Sequence, residues 1–340
     1  MSSSGNSPSK LPANEATEYY KQVVLASKLE GYEIVGLLGV GGFGQVFQAR
    51  DKRLDRMVAL KFLSSSNNSA GNSYRDLKKE AESISRLSHE NIVQIFSWHS
   101  SNDLVFYSME LIQGQPLDEL LRNQPDLTLS MKLQIIADAA SGLAAAHRQN
   151  VLHCDIKPQN ILVSREGKVK LADFGLARAL KGTKSDQTSG GSTITGTLGF
   201  MSPEQANGQP PTVESDVYSL AATTYYLLSR HTPFGNLSDI SDLFKANQAG
   251  KMIPLYEIEP DYPLPVYKLV TKGLHTRQAM RYKTADEFRY DVERCFFKSE
   301  EGPKEFSFSN LTPKQLLMIG YIAGLITGVA AFALFARLTD

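Results

Sequence analysis

The sequence predicts an α+β fold in two lobes, a small β-rich one followed by a larger helical one, with one transmembrane helix near the C-terminus. Three observations predict it. Strand-type runs crowd the interval from Tyr32 to Met109. From Leu117 onward apolar residues recur at helical spacing, most clearly from Leu129 to Gln149. Leu316 to Ala336 contains no charged side chain, and as a helix it would be about 31 Å long, the thickness of a bilayer core.

Composition bounds the rest. The chain has 340 residues, room for two modest domains or one large two-lobed one. A formal net charge of zero argues against a nucleic-acid binder, which carries a basic excess. The two cysteines, Cys154 and Cys295, lie far apart and give neither a disulfide framework nor a metal spacing, so a reducing compartment is the expectation. The N-terminus is polar and Ser-rich, without the apolar core of a signal peptide. The chain divides into a tail and short helix (1–31), a folded domain (32–297), a linker (298–314) and the span (315–337). Within the first part, 1–10 reads as disordered and 13–29 as helical, from the spacing of Tyr19, Tyr20, Val23 and Val24.

In the β-rich lobe, the strand Tyr32 to Leu38 leads into Gly39-Val40-Gly41-Gly42-Phe43-Gly44, and Gln45 to Ala49 leads out. Bare glycines let backbone N–H groups approach phosphate oxygens closely. In a dinucleotide fold the glycines would open a helix; here β-type residues follow, which favours a hairpin over a phosphate. The next strand, Met57 to Phe62, carries Lys61 near its end, where a lone lysine is ordinarily a solvated charge. A polar loop (64–73), a helix (74–87) and two strands, Ile92 to Trp98 and Leu104 to Met109, complete the lobe.

The stretch Val151 to Asn160 carries the densest chemistry. Asp155, on a loop between apolar runs, can accept a proton from a hydroxyl. Asn160 offers a hard oxygen of the kind Mg²⁺ takes, and Lys157 between them is a point charge suited to a phosphoryl group. Further on, Leu171-Ala172-Asp173-Phe174-Gly175 places a second carboxylate on a tight turn. His89 and His147 are single histidines and read as structural.

These stretches, in this order from Tyr32 to Phe297, resemble the protein kinase superfamily, and Met201-Ser202-Pro203-Glu204-Gln205 is similar to the bacterial eukaryotic-like serine/threonine branch. The resemblance implies the bilobal protein kinase fold, with ATP and Mg²⁺ as cofactors and protein Ser/Thr hydroxyls as substrates. It places ATP against Gly39, Val40, Gly41, Gly42, Phe43, Gly44 and Val46, with Met109 guarding the pocket and backbone groups of Glu110 and Ile112 on the adenine. Lys61 would hold the α- and β-phosphates and be held by Glu80, Glu82 being the neighbouring alternative that falls out of register. Asp155 would deprotonate the substrate hydroxyl, Lys157 would steady the γ-phosphoryl group, and Asn160 and Asp173 would hold Mg²⁺. Asp216 would brace the catalytic loop and Arg281 would pair with Glu204. Gly175 to Pro203, with Thr183, Ser185, Thr188, Ser189, Ser192, Thr193 and Thr195, would be the activation segment.

One departure stands out. The family has arginine before the catalytic aspartate, and this chain has Cys154. Cysteine cannot pair with an activation-segment phosphate, so phosphates on 188–195 are expected to act little through this loop. Cys154 itself reads as a small buried packing residue, with a redox role as the alternative. A catalytically silent scaffold and an ATP-binding signalling module are the competing function classes. Lys298, Lys304 and Lys314 outnumber Arg337 across the span, which puts the kinase domain on the cytoplasmic side, for a bacterium that of the inner membrane. With only Arg337-Leu338-Thr339-Asp340 after the uncharged stretch, no external sensor domain is expected. Gly320, Gly324 and Gly328 share one helix face; a homodimer through it and the ordinary glycine content of membrane helices weigh equally.

Overall fold

The computed structural model describes residues 18, 31–41, 44–63, 84–101, 104–174, 198–235, 237 and 240–300. Outside them lie Gly42 and Phe43, Glu80 and Glu82, the activation segment from Gly175 to Thr197, the linker beyond residue 300 and the span with Gly320, Gly324 and Gly328. The N-terminal tail lies outside as well, apart from residue 18. Among the described residues no helix is long and apolar enough to cross a membrane.

The first lobe is a five-stranded antiparallel sheet of order β1-β2-β3-β5-β4. Its strands are β1 (Tyr32–Gly41), β2 (Gly44–Asp51), β3 (Arg56–Leu63), β4 (Ile95–Ser101) and β5 (Leu104–Glu110). Side chains alternate between faces with period two, and the two faces do different work. Phe47, Val58, Leu60, Phe62 and Phe106 form a small core on one face with Tyr32 and Ile34; its aromatic rings pack at 4.9 Å (Phe62–Phe106) and 5.5 Å (Phe47–Phe62). The opposite face carries Lys61 and Tyr107, and Tyr107 belongs to the large core of the molecule. Gly44 opens β2 at φ +144°, where a Cβ would meet the Phe62 carbonyl oxygen at 1.8 Å. No other residue fits that turn, which accounts for the glycine that closes the loop motif.

Strand β4 begins later than the sequence suggests. Ile92 makes an isolated parallel bridge to Leu171, and the Val93 N–H donates to the Leu171 carbonyl at 2.9 Å. The apolar run from Ile92 is thus divided: its first residues stitch the sheet to the second lobe, and only Ile95 onward pairs with β5.

The second lobe opens with a small sheet, β6 (Gly114–Pro116), β7 (Ile161–Ser164) and β8 (Val169–Leu171). Its helices are α1 (Leu117–Asn123), α2 (Leu129–Arg148), α3 (Pro203–Ala206), α4 (Val213–Ser229), α5 (Ile240–Ala249), α6 (Leu255–Ile258), α7 (Leu264–Gly273) and α8 (Ala285–Glu300). Thr128 caps α2 by accepting from the Met131 N–H, and Thr212 with Ser215 forms a capping box at α4. Leu133, Ile136, Ala140 and Leu143 recur along the buried face of α2, each larger side chain contributing about 1.5–3 kcal/mol on burial. Helix α4 is buried almost all round, as a central core helix should be. Helix α8 runs to Glu300, three residues into the segment read as linker.

The expected pairing of Arg281 with Glu204 is present and bidentate. Nη1 and Nη2 donate to Oε1 and Oε2 at 2.7 and 2.9 Å, and Ser215 Oγ adds a third donor at 2.6 Å. Both residues are buried. Burial works to raise the Glu204 carboxyl, but the bonds from Arg281 and Ser215 and the guanidinium charge override it and bring the pKa down from 4.5 to about 2. A depressed carboxyl stabilises the folded state above its unfolded value, and the contribution is lost as pH falls from 4.5 toward 2. Replacing Arg281 by Met leaves a buried charge uncompensated and should cost about 3–5 kcal/mol in urea unfolding at neutral pH. The Arg281→Met protein should also lose less stability than wild type across that acid window. A cost below about 1 kcal/mol, the scale of an exposed pair, would show that the pair stands in solvent.

Candidate active site

The loop from Val151 to Lys157 is shaped by one carboxylate from another element. Asp216 lies in the first turn of α4, where the helix dipole favours negative charge. It is 1% exposed. Its Oδ2 accepts from the His153 N–H at 2.7 Å and from His147 Nε2 at 2.9 Å, and its Oδ1 accepts from the Cys154 N–H at 2.8 Å. Two consecutive amides thus converge on one side chain, and Cys154 takes φ +64° to allow it. His147 is therefore a brace on Asp216, and His89 is structural too, its Nδ1 accepting from the Asn91 N–H at 3.1 Å.

The His153 ring is the next support. Its Nε2 lies 3.0 Å from the Ala172 carbonyl, which can only accept, so Nε2 carries the proton. Nδ1 is then the acceptor for the Asp155 N–H at 3.4 Å. Burial pushes the His153 pKa down against the pull of nearby carboxylates, which keeps this tautomer neutral. The ring packs on Phe174 at 4.4 Å between centroids, so one imidazole joins the Asp155 loop to the Asp173 turn.

Five of the predicted site residues, Asp155, Lys157, Asn160, Lys61 and Asp173, come together on this frame. Lys157 Nζ lies 2.8 Å from Asp155 Oδ2. Asn160 Nδ2 donates to the Asp155 carbonyl at 2.7 Å and to Oδ2 at 3.1 Å. Both partners are pure acceptors, so the amide nitrogen faces Asp155 and the Asn160 oxygen is turned the other way. Across from them, Lys61 Nζ lies 2.6 Å from Asp173 Oδ1. Asp173 sits at φ +61°. Burial would raise its carboxyl, but the charge and hydrogen bond of Lys61 win and hold it below the usual value. Within the described residues, then, the partner of Lys61 is Asp173; Glu80, the partner expected from sequence, lies outside them.

At the strand that joins the lobes, the Glu110 N–H donates to the Gln94 carbonyl, and the Ile112 carbonyl accepts from the Gly114 N–H. The expectation that backbone groups of both residues face a base therefore narrows to the Glu110 carbonyl and the Ile112 N–H. The Glu110 side chain is turned to Lys170, at 2.9 Å. Met109 lines a small pocket with Ile84, Tyr107, Leu171, Asp173 and Phe174.

Three features escaped the sequence reading. Tyr107 donates through its hydroxyl to Asp173 Oδ1 at 3.4 Å, and burial drives its pKa well above the usual value, so it is a neutral donor. Gln205 donates through Nε2 to the Cys154 carbonyl at 3.1 Å, while its Oε1 accepts from Ser202 Oγ at 2.8 Å. Cys154, expected to be buried, is only partly so. A search for polar side chains on strands flanking Lys61 would have found Tyr107; the Gln205 contact had no signal in the sequence.

Residues 32–290 match the protein kinase domain family. The chain belongs to that family. It is similar to the serine/threonine-protein kinase PrkC of Bacillus subtilis, with 32% identity over 286 residues, 84% of this chain and 44% of the relative. It is similar also to the serine/threonine-protein kinase PknB of Mycobacterium tuberculosis, with 31% identity over 298 residues, 86% of this chain and 47% of the relative. The chain thus spans less than half the length of these relatives. In fold it resembles the crystal structure of the Mycobacterium tuberculosis PknI kinase domain, at TM-score 0.61 and 22% identity, over 78% of this chain and 96% of that one.

Asp216 provides a test of the loop geometry. In Asp216→Asn an amide N–H₂ must face a backbone N–H, so at least one charge-assisted bond becomes a repulsion. The variant should lose about 2–3 kcal/mol in urea unfolding. A loss under about 0.5 kcal/mol, the scatter of ordinary surface substitutions, would mean that the loop is held by something else.

Proposed function

We propose that the chain is a membrane-anchored serine/threonine protein kinase. The observation that carries the reading is the meeting of Asp155, Lys157 and Asn160 with Lys61 and Asp173 on one frame. The names of the relatives support the Ser/Thr branch.

The residues present fit ATP with a divalent cation. Mg²⁺ keeps several waters and takes one or two protein oxygens along with phosphates, so the Asp173 carboxylate and the Asn160 oxygen form a sufficient donor pair. When bound, the cation would supply positive charge that offsets the charge of the phosphate oxygens. The chain supplies the rest. Lys61, 2.6 Å from Asp173 in this structure, is long enough to turn to the α- and β-phosphates. Gly39, Val40, Gly41, Gly42, Phe43, Gly44 and Val46 would cover them, and Glu110 and Ile112 would hold the adenine edge through the backbone groups named above. Asp155 orients the substrate hydroxyl and accepts its proton as the oxygen bonds to the γ-phosphorus and the bond to the ADP oxygen breaks. Lys157, paired with Asp155, offsets charge on the phosphoryl oxygens during the transfer. With Cys154, position 154 offers no cation to an activation-segment phosphate, which supports an enzyme whose output depends little on that phosphate through this position.

Asp155→Asn keeps the size and the Asn160 contact but removes the proton acceptor. It should lower autophosphorylation by about 10²–10⁴-fold, the usual worth of a general base, with nucleotide binding retained. Autophosphorylation at the wild-type rate would show that Asp155 does not hold the role.

The membrane part of the reading rests on the uncharged stretch 316–336 and on the Lys298, Lys304 and Lys314 bias. The full chain should sediment with membranes and resist carbonate extraction. Protease added outside spheroplasts should leave the kinase domain whole. Release by carbonate, or digestion of the domain from outside, would reverse the assignment.

A further inference from the structure

Three antiparallel strands carry one row of side chains across the first lobe. Lys61 on β3 lies opposite Tyr107 on β5, and Tyr107 lies opposite Trp98 on β4. Residues opposite one another in a ladder share a face, so the row runs from the lysine of the candidate site back through the sheet. Its middle member is almost wholly buried, at 1% exposure. The Tyr107 ring stacks on the Trp98 indole, with planes 8° apart and centroids at 6.3 Å. The ring is fixed in this way, and its hydroxyl reaches out of the sheet to Asp173 Oδ1, the oxygen that Lys61 also holds.

We propose that Tyr107 is a positioning residue for Asp173, which together with Lys61 engages Oδ1 and so presents Oδ2 to a nucleotide-borne divalent cation. The proposal rests on the reading of Asp173 as a metal-holding carboxylate. A carboxylate on a turn can rotate, and a donor on one oxygen fixes which oxygen is offered. Lys61 alone cannot keep that role, because its long side chain is also the one that turns to the phosphates. Tyr107 can, because its ring is clamped in the sheet by Trp98. A neutral hydroxyl also fixes the carboxylate without cancelling the charge that attracts the cation. Hydrogen bonds from outside the ligand shell orient metal ligands and change metal affinity in this way.

Trp98 is the only tryptophan in the chain, and it stacks on the residue in question, so its fluorescence is a built-in reporter. The full chain is titrated with Mg²⁺ at fixed ADP, and separately with ADP in the absence of metal. Tyr107→Phe removes only the hydroxyl. The Mg²⁺ midpoint of the variant should rise roughly tenfold, the low end for outer-shell partners of a metal ligand, while metal-free ADP binding stays as in wild type. In turnover, the loss should lie in the Mg²⁺ requirement and vanish at saturating Mg²⁺; a residue that only packs would lower the saturated rate or neither quantity. Melting curves verify that the variant folds. If it does not, Trp98→Phe loosens the ring while keeping the hydroxyl, and Mn²⁺ binding read by loss of the free-ion EPR signal should weaken in the same direction. Asp173→Asn separates the two layers of inference. If Asp173→Asn titrates with Mg²⁺ as wild type does, the assignment of Asp173 itself fails. If Asp173→Asn loses the response and Tyr107→Phe keeps the wild-type midpoint, Tyr107 is packing alone and the proposal is overturned.

Discussion

The loop that carries Asp155 stands on a buried carboxylate. The charge of Asp216 is met by two backbone amides, a histidine and the N-terminus of α4. Such a group is costly to bury unless every acceptor is used, and here two of the three donors come from the loop that must be shaped. The stability of the carboxylate and the conformation of the loop are therefore one constraint. It forces Cys154 into the left-handed region at a cost of about 1–2 kcal/mol, which the three bonds more than offset.

This arrangement explains why Cys154 is compatible with the fold. Asp216 holds the backbone amide of residue 154, and any residue there except proline would supply the same N–H. The side chain is free to vary, and with cysteine it carries no charge to the neighbouring segment. One connection among the described residues is neutral: Gln205 links the Cys154 carbonyl to the cap of α3. A neutral bond of this kind is insensitive to salt and to added phosphate, unlike a pair of ions.

The turn that carries Asp173 is positioned from the other side. The Leu171 N–H donates to the Asn91 carbonyl, the Val93 N–H donates to the Leu171 carbonyl, and Asn91 Nδ2 donates to the Val169 carbonyl. Strand β8 is thereby sewn to the segment that runs into β4, and Asp173 leaves it directly beneath Lys61. These contacts were not legible in the sequence, where Ile92 to Trp98 reads as one strand; a short apolar run does not say which partner it pairs with. The hairpin of β1 and β2 and the placement of Lys61, Asp155 and Asn160 were legible because local spacing encodes them. Helix α2 was legible from periodicity, to within one residue of its end. Tyr107 was not, since its role arises from the register of β3, β5 and β4, a non-local fact. The end of α8, set by where pairing of the last turn stops, differs from the sequence boundary by the few residues usual for helix termini.

The most direct measurement is phosphoamino-acid analysis of the purified full chain after incubation with radiolabelled ATP, Mg²⁺ and a general protein substrate. A hydroxyl delivered to Asp155 beside Lys157 should yield phosphoserine and phosphothreonine, on the chain itself and on the substrate. Label confined to phosphotyrosine, or bound nucleotide with no transferred phosphate under conditions where the chain is folded, would contradict the assignment of this site to serine/threonine phosphorylation.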